Sequence, residues 1–163
     1  MNTEVGPVRV GDALPPLEIE ITRTLIVAGA IASRDYQDVH HDAELARQKG
    51  SPDIFMNILT TNGLVGRYIT ERFGPRSVLR RVAIRLGAPN YPGDTMVLTG
   101  TVEAVEGDTA TVRVVGSGLW IKPGRPVSTV ATGQPSSLVV AVEVTLVSTF
   151  LRTAVAPGKT APF

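Results

Sequence analysis

Residues 33–64 read SRDYQDVHHDAELARQKGSPDIFMNILTTNGL, and the reading of this stretch decides how the rest of the chain is placed. It holds both histidines of the protein, His40 and His41, together with Asp35, Asp38 and Asp42, and a largely apolar segment follows at once. The apolar run Leu25 to Ala32 ends at Ser33-Arg34-Asp35. Asp42 has the side chain of an N-cap for a short helix from Ala43 to Lys49, which Gly50 stops. Asp35 and His40 therefore lie on a loop braced by a helix end on each side. A carboxylate and an imidazole five positions apart on such a loop are able to face one small volume, as two proton-transfer groups that share a water must. On spacing alone, loop bracing by Asp35 and His40 is the stronger reading. His41 is expected on the other side of the chain from His40. Adjacent side chains diverge and no further ligands are evident, so no metal site is expected from His40, His41 and Asp42.

Downstream, Ile54 to Phe73 is the longest stretch with helical periodicity, and Gly74-Pro75 ends it. Ile54, Ile58, Leu64, Val65, Tyr68 and Ile69 are expected to form its apolar stripe. Gly63 and Gly66 each cost such a helix about 1 kcal/mol relative to alanine, which close packing against a sheet would offset. Upstream, residues 1–16 are rich in glycine and proline and read as an irregular arm. Leu17 to Ile21 alternates with period two as a strand does, and Thr22 to Ala32 is helix-like. From residue 78 the period changes to two. Segments 78–89, 94–107, 109–121 and 136–149 are rich in Val, Ile and Thr, with turns at Asn90 to Gly93, Gly107-Asp108 and Lys122 to Pro135. They are expected as hairpin-connected strands. Strand, helices and then a run of strands is an α+β pattern: one long helix lying along an antiparallel sheet. Residues 17–150 are expected to form one domain and residues 151–163 a loose tail.

The stretch from Ser33 onward resembles the MaoC-like, R-specific enoyl-CoA hydratase branch of the hotdog fold. Its motif is roughly S-G-D-x-N-P-I-H-x-D, followed by A-x-x-x-G-x-x-x-x-I-x-H-G-x-L-x-x-G-L. Ser33, Asp35, Val39, His40, Asp42, Ala46, Gly50, Leu59, Gly63 and Leu64 fall on matching positions. Arg34 replaces a glycine, Gln37-Asp38 replaces Asn-Pro, and Asn57-Ile58 replaces the His-Gly that opens the family's central helix. RDYQDVHHD and SPDIFMNIL look most like the small subunit of a two-subunit actinobacterial hydratase acting on steroid side-chain CoA thioesters.

The resemblance implies a curved antiparallel sheet wrapped around one long central helix. It also implies hydration of a trans-2-enoyl-CoA to a 3-hydroxyacyl-CoA, in steroid side-chain or fatty acyl breakdown. Asp35 and His40 would be catalytic, and Asn57 and Ile58 would bind the thioester oxygen at the helix opening. No cofactor is expected, CoA being part of the substrate. Two alternatives stay open: a supporting hotdog subunit that binds acyl-CoA without catalysis, and a hotdog thioesterase. The unpaired edge of one hotdog sheet implies a homodimer or a heteromer with another MaoC-like chain.

Composition narrows the field. The 163 residues carry a formal net charge of +1, with Lys and Arg scattered, which gives no electrostatic case for nucleic acid. Arg80, Arg81 and Arg85 share one strand with mixed parity and are expected to solvate an edge rather than meet CoA phosphates. Trp120 is expected in a core or interface. Zero cysteines exclude disulfides and a thiolate nucleophile. No apolar run approaches the roughly 20 residues of a membrane span, and a cytoplasmic location is expected.

Overall fold

Pro15 and Pro16 cannot donate to a strand ladder, yet the first strand, β1 (Ala13–Glu20), runs through them. It lies at one edge of the sheet, where a missing N–H costs least, and its register against its neighbour shifts between Leu14 and Leu17. The strand thus starts four residues before the expected Leu17. The computed structural model from which these elements are taken describes residues 8–75, 77–119 and 136–146. Trp120, the Lys122 to Pro135 turn and the 151–163 tail lie outside the described residues.

Helix α1 (Arg23–Ala32) starts where the Thr22 hydroxyl accepts the Leu25 N–H at 3.0 Å, and it buries Ile26 and Ala30. A single 3-10 turn (Asp38–His40) and helix α2 (Ala43–Gln48) follow. Asp42 caps α2 as expected, its Oδ1 accepting the N–H groups of Glu44 and Leu45 at 2.9 and 3.0 Å.

The long helix, α3 (Ile58–Phe73), begins four residues later than its periodicity suggests. Residues Ile54 to Asn57 are extended because partners elsewhere take their N–H groups: Phe55 N–H bonds the Val39 carbonyl and Met56 N–H the Asn90 carbonyl, each at 3.0 Å. Asn57 then caps the helix through the Thr60 N–H. Ile54 is buried as part of this extended segment, whereas Ile58, expected on the apolar stripe, is 44% exposed. The face that packs inward is Thr61, Val65, Tyr68, Ile69 and Phe73. Burying Val65 and Ile69 contributes about 1.5–3 kcal/mol each, which outweighs the roughly 1 kcal/mol that each of Gly63 and Gly66 costs.

Strands β2 (Ser77–Arg85), β3 (Thr95–Glu106), β4 (Thr109–Leu119) and β5 (Ser136–Leu146) complete a five-stranded sheet, antiparallel throughout, in the order β1-β3-β4-β5-β2. The expected hairpin between the second and third strands is therefore absent. After α3 the chain enters β2 at the far edge, beside β5, and residues 86–94 bring it back to β3. Met96, Leu98 and Val102 of β3, with Ala110, Val112 and Val114 of β4, face the α3 stripe in one core. Gly100 makes room for that contact: a Cβ there would lie 3.2 Å from the Tyr68 ring and 3.1 Å from Leu14 Cδ2. One long helix against one antiparallel sheet is the hotdog arrangement. Arg80, Arg81 and Arg85 are all exposed on edge strand β2, with the register shifting between Leu79 and Arg81.

Candidate active site

The chain leaves α1 through a left-handed residue. Arg34 has φ 56°, a conformation L residues avoid, at the position where the resembled motif carries glycine. This reversal lets the Asp35 N–H bond the Ala30 carbonyl at 2.9 Å and aims the Asp35 side chain back toward the opening of α3. The 3-10 turn then carries His40 inward, and the imidazole ends 5% exposed.

Asp35 Oδ2 and His40 Nε2 lie 3.3 Å apart. The other ring nitrogen, Nδ1, is 2.7 Å from the Phe55 carbonyl oxygen. A carbonyl only accepts, so Nδ1 carries a hydrogen and Nε2 is the nitrogen offered to Asp35. The Phe55 ring also meets the imidazole edge-on at 5.0 Å and packs on Tyr91 at 6.2 Å, which holds the histidine from a second side. His41 points elsewhere, as expected: it is exposed and its Nε2–H donates to the Tyr36 carbonyl at 3.2 Å.

Asn57 joins this pair to the helix. Its Nδ2 donates to Asp35 Oδ2 at 3.0 Å and to Ser33 Oγ at 2.8 Å, while its Oδ1 accepts the Thr60 N–H at 2.9 Å. The hydrogen bond from Asn57 is the largest influence on Asp35 and holds its pKa below the ordinary carboxylate value. Partial burial opposes it, and His40 and Gln37 add to it. With both amide hydrogens spent, the Asn57 side chain has no donor left for a substrate. The backbone N–H groups of Ile58 and Leu59, in the first turn of α3, have no acceptor among the described residues.

Beside these groups a cleft of about 340 Å³ opens between α1 and α3, lined by Gly29, Ala32, Ser33, Leu59, Thr60, Gly63 and Leu64. Its floor is the closest approach of the two helices. A Cβ on Gly29 would sit 2.1 Å from Thr60 Oγ1, whereas the Cβ positions of Gly63 and Gly66 meet nothing closer than 3.5 Å. Gly29, not Gly63 or Gly66, is thus the glycine that permits the close approach of α1 to α3. Among the described residues no group of three or more His, Asp or Glu side chains is placed to hold a metal ion.

Of the residues singled out from sequence, the structure brings Asp35, His40 and Asn57 into one cluster and leaves the Ile58 side chain facing solvent. Sequence reasoning missed the Phe55 carbonyl, the Ser33 hydroxyl and the Leu59 N–H. Ser33 and Leu59 fall on matching motif positions, whereas nothing in the sequence marks a backbone carbonyl 15 residues from the histidine it orients.

Comparison with known proteins places this geometry in context. The family model described as "MaoC like domain" matches residues 9–119. The 3-oxo-4,17-pregnadiene-20-carboxyl-CoA hydratase beta subunit of Mycobacterium tuberculosis is 49% identical over 107 residues, spanning 66% of this chain and 83% of that protein. The structure is similar to that of the ChsH1-ChsH2 complex from Mycobacterium tuberculosis, with a TM-score of 0.74 and 39% identity over 85% of this chain and 98% of that one. The R-hydratase PhaJ1 of Pseudomonas aeruginosa shares the fold, with a TM-score of 0.70 and 16% identity over 85% of this chain and 82% of that one. A domain model matched along most of the chain, and a relative identical at nearly half of the aligned positions, lead to one conclusion: this chain belongs to the MaoC-like domain family.

Proposed function

We propose that this chain carries the acid/base machinery of an enoyl-CoA hydratase, adding water across C2=C3 of a trans-2-enoyl-CoA to give a 3-hydroxyacyl-CoA. The observation that supports it best is the 3.3 Å pairing of Asp35 Oδ2 with His40 Nε2, on a braced loop beside the opening of α3. A water within about 2.8 Å of both atoms fits that separation. Asp35, held ionised by the Asn57 amide, takes one proton of the water as its oxygen adds to C3. The Asp35/His40 pair returns a proton to C2, which balances the addition. The thioester oxygen gains negative charge in this step. The N–H groups of Ile58 and Leu59, at the positive end of the α3 dipole, meet that charge more strongly in the transition state than in the ground state.

A steroid acyl-CoA substrate, its shortened side chain bearing the CoA thioester, is supported by the likeness to the 3-oxo-4,17-pregnadiene-20-carboxyl-CoA hydratase beta subunit. The partner is supported by the two-chain solved relative and by the sheet, whose edge strands β1 and β2 each have one side unpaired among the described residues. A second MaoC-like subunit paired along one of these edges covers it and shares the acyl pocket. The test is loss of enoyl-CoA absorbance, with steroid and fatty acyl substrates, by the chain alone and with candidate MaoC-like partners. Asp35→Asn and His40→Ala are each expected to slow hydration about a hundredfold or more. Thiol release in place of hydration, or full activity in either soluble variant, refutes the reading.

A further inference from the structure

We propose that Asn57 is a positioning residue whose one amide locks the proton-transfer carboxylate Asp35 to the N-terminus of α3, fixing the water site and the oxygen-binding N–H groups relative to each other. The proposal rests on the functional reading above for what Asp35 does. Asn57 is 2% exposed, so bulk water cannot stand in for its bonds. Its Nδ2 carries two hydrogens, and the structure accounts for both: one on Asp35 Oδ2 at 3.0 Å and one on Ser33 Oγ at 2.8 Å. Its Oδ1 accepts the Thr60 N–H. Ser33 is itself fixed, since its hydroxyl donates to the Gly29 carbonyl at 2.7 Å. The amide is therefore anchored to the end of α1 and the start of α3 at once, and Asp35 hangs from it.

Few side chains satisfy all three partners. Aspartate caps a helix as well as asparagine does but turns the donor into a second acceptor beside Asp35, and serine caps but carries no amide to reach the carboxylate. Both replacements keep the helix start and remove the link, which separates a positioning role from a merely structural one. The titratable group that faces Asp35 is His40, at 3.3 Å, while Asn57, Ser33 and Gln37 are uncharged. Loss of the amide donor consequently appears as a weaker preference of Asp35 for its ionised form.

The experiment uses the full chain with Asn57→Ser and Asn57→Asp. The Asp35 carboxyl is titrated by 13C NMR, and the pH dependence of kcat and KM is measured for enoyl-CoA hydration. Asn57→Ser is expected to move the Asp35 midpoint upward, to carry the acid limb of kcat up with it, and to lower kcat at neutral pH about tenfold or more with KM within about twofold. Asn57→Asp is expected to move the midpoint further, because two carboxylates then face each other. A folded Asn57→Ser chain with the wild-type Asp35 midpoint and wild-type kcat overturns the proposal. The NMR arm stands apart from catalysis. If the wild-type chain hydrates no enoyl-CoA, the functional reading fails, and the midpoint in Asn57→Ser still decides the link: an upward move supports it and an unmoved midpoint refutes it.

Discussion

Gly29→Ala adds one methyl group at the contact of α1 with α3. That methyl would lie 2.1 Å from Thr60 Oγ1, 2.8 Å from Thr60 Cγ2 and 3.0 Å from Thr60 Cβ. Ordinary contact between such atoms begins near 3.4 Å, so this contact must open by up to about 1.3 Å, shared between a turn of the Thr60 side chain and a parting of the helices. Rotating Thr60 absorbs only part of this, because its Cβ is itself 3.0 Å away and does not move with the rotation. Overpacking of this kind costs about 1–3 kcal/mol, while the alanine returns about 1 kcal/mol of helix propensity. The net loss of up to about 2 kcal/mol corresponds to a fall in Tm of as much as 8 °C, at about 2–4 °C per kcal/mol for a domain of this size. The same displacement carries Ser33 away from Asn57 and loosens Asp35, so hydration should fall together with Tm. Thr60→Ala in the same chain should restore part of both, because it removes the two nearest atoms and a hydroxyl that is buried without a hydrogen-bond partner among the described residues. Thermal melts and hydration rates on the two single variants and the double variant measure this as a cycle. A Gly29→Ala chain at least as stable as wild type, or strict additivity with Thr60→Ala, would refute the reasoning.

His41→Ala should leave hydration within severalfold of wild type, since its ring is exposed and bonds the Tyr36 carbonyl at the surface; a loss as deep as that of His40→Ala in parallel assays contradicts this. Arg34→Gly should raise Tm, by no more than about 1 kcal/mol of stability, because it relieves a left-handed residue at φ 56°, and a lower Tm would show that the Arg34 side chain matters more than its backbone. Asp35 and Asp94 should give opposite pH dependences of stability. Asp35 has a depressed folded pKa, so its contribution is present above the ordinary carboxylate value and is lost as pH falls through the folded one. Asp94, 5% exposed, has its pKa raised by burial, with the Tyr91 N–H opposing. Its charged form is disfavoured in the fold, and stability declines as pH rises from the unfolded value through the folded one. Melting curves across pH 3 to 7 for Asp35→Asn and Asp94→Asn should therefore diverge from wild type in opposite senses, and parallel curves would contradict both assignments.

What was legible in the sequence was what local chemistry decides. Asp42 and Gly50 bound α2 with no help from the rest of the fold, and the period-two runs became strands because alternation needs only a sheet with one buried face. Asp35 and His40 were legible as a loop pair; their spacing alone favours loop bracing, and it is the motif match that points to proton transfer. The rest depends on contacts between distant segments. Ile54 to Asn57 has helical apolar spacing, yet Val39 and Asn90 claim its backbone. Strand β2 follows α3 across the sheet, so its partner is the last strand and not the next one. The role of Gly29 in α1 is not visible locally, because the residue that needs its missing side chain, Thr60, is 31 positions away.

The carbonyl of Phe55 does more than hold a ring in place. With Nδ1–H committed to that oxygen, His40 exchanges protons with the site through Nε2 alone. A histidine open at both nitrogens can pass a proton through its ring from solvent to substrate; this one is a dead end with a single port. Whatever proton arrives at Nε2 must leave by Nε2, so in the proposed reaction the group that takes the proton must stand on the same side as the one that gave it. In the proposed hydration, addition of water and its reversal both pass their proton through this one nitrogen.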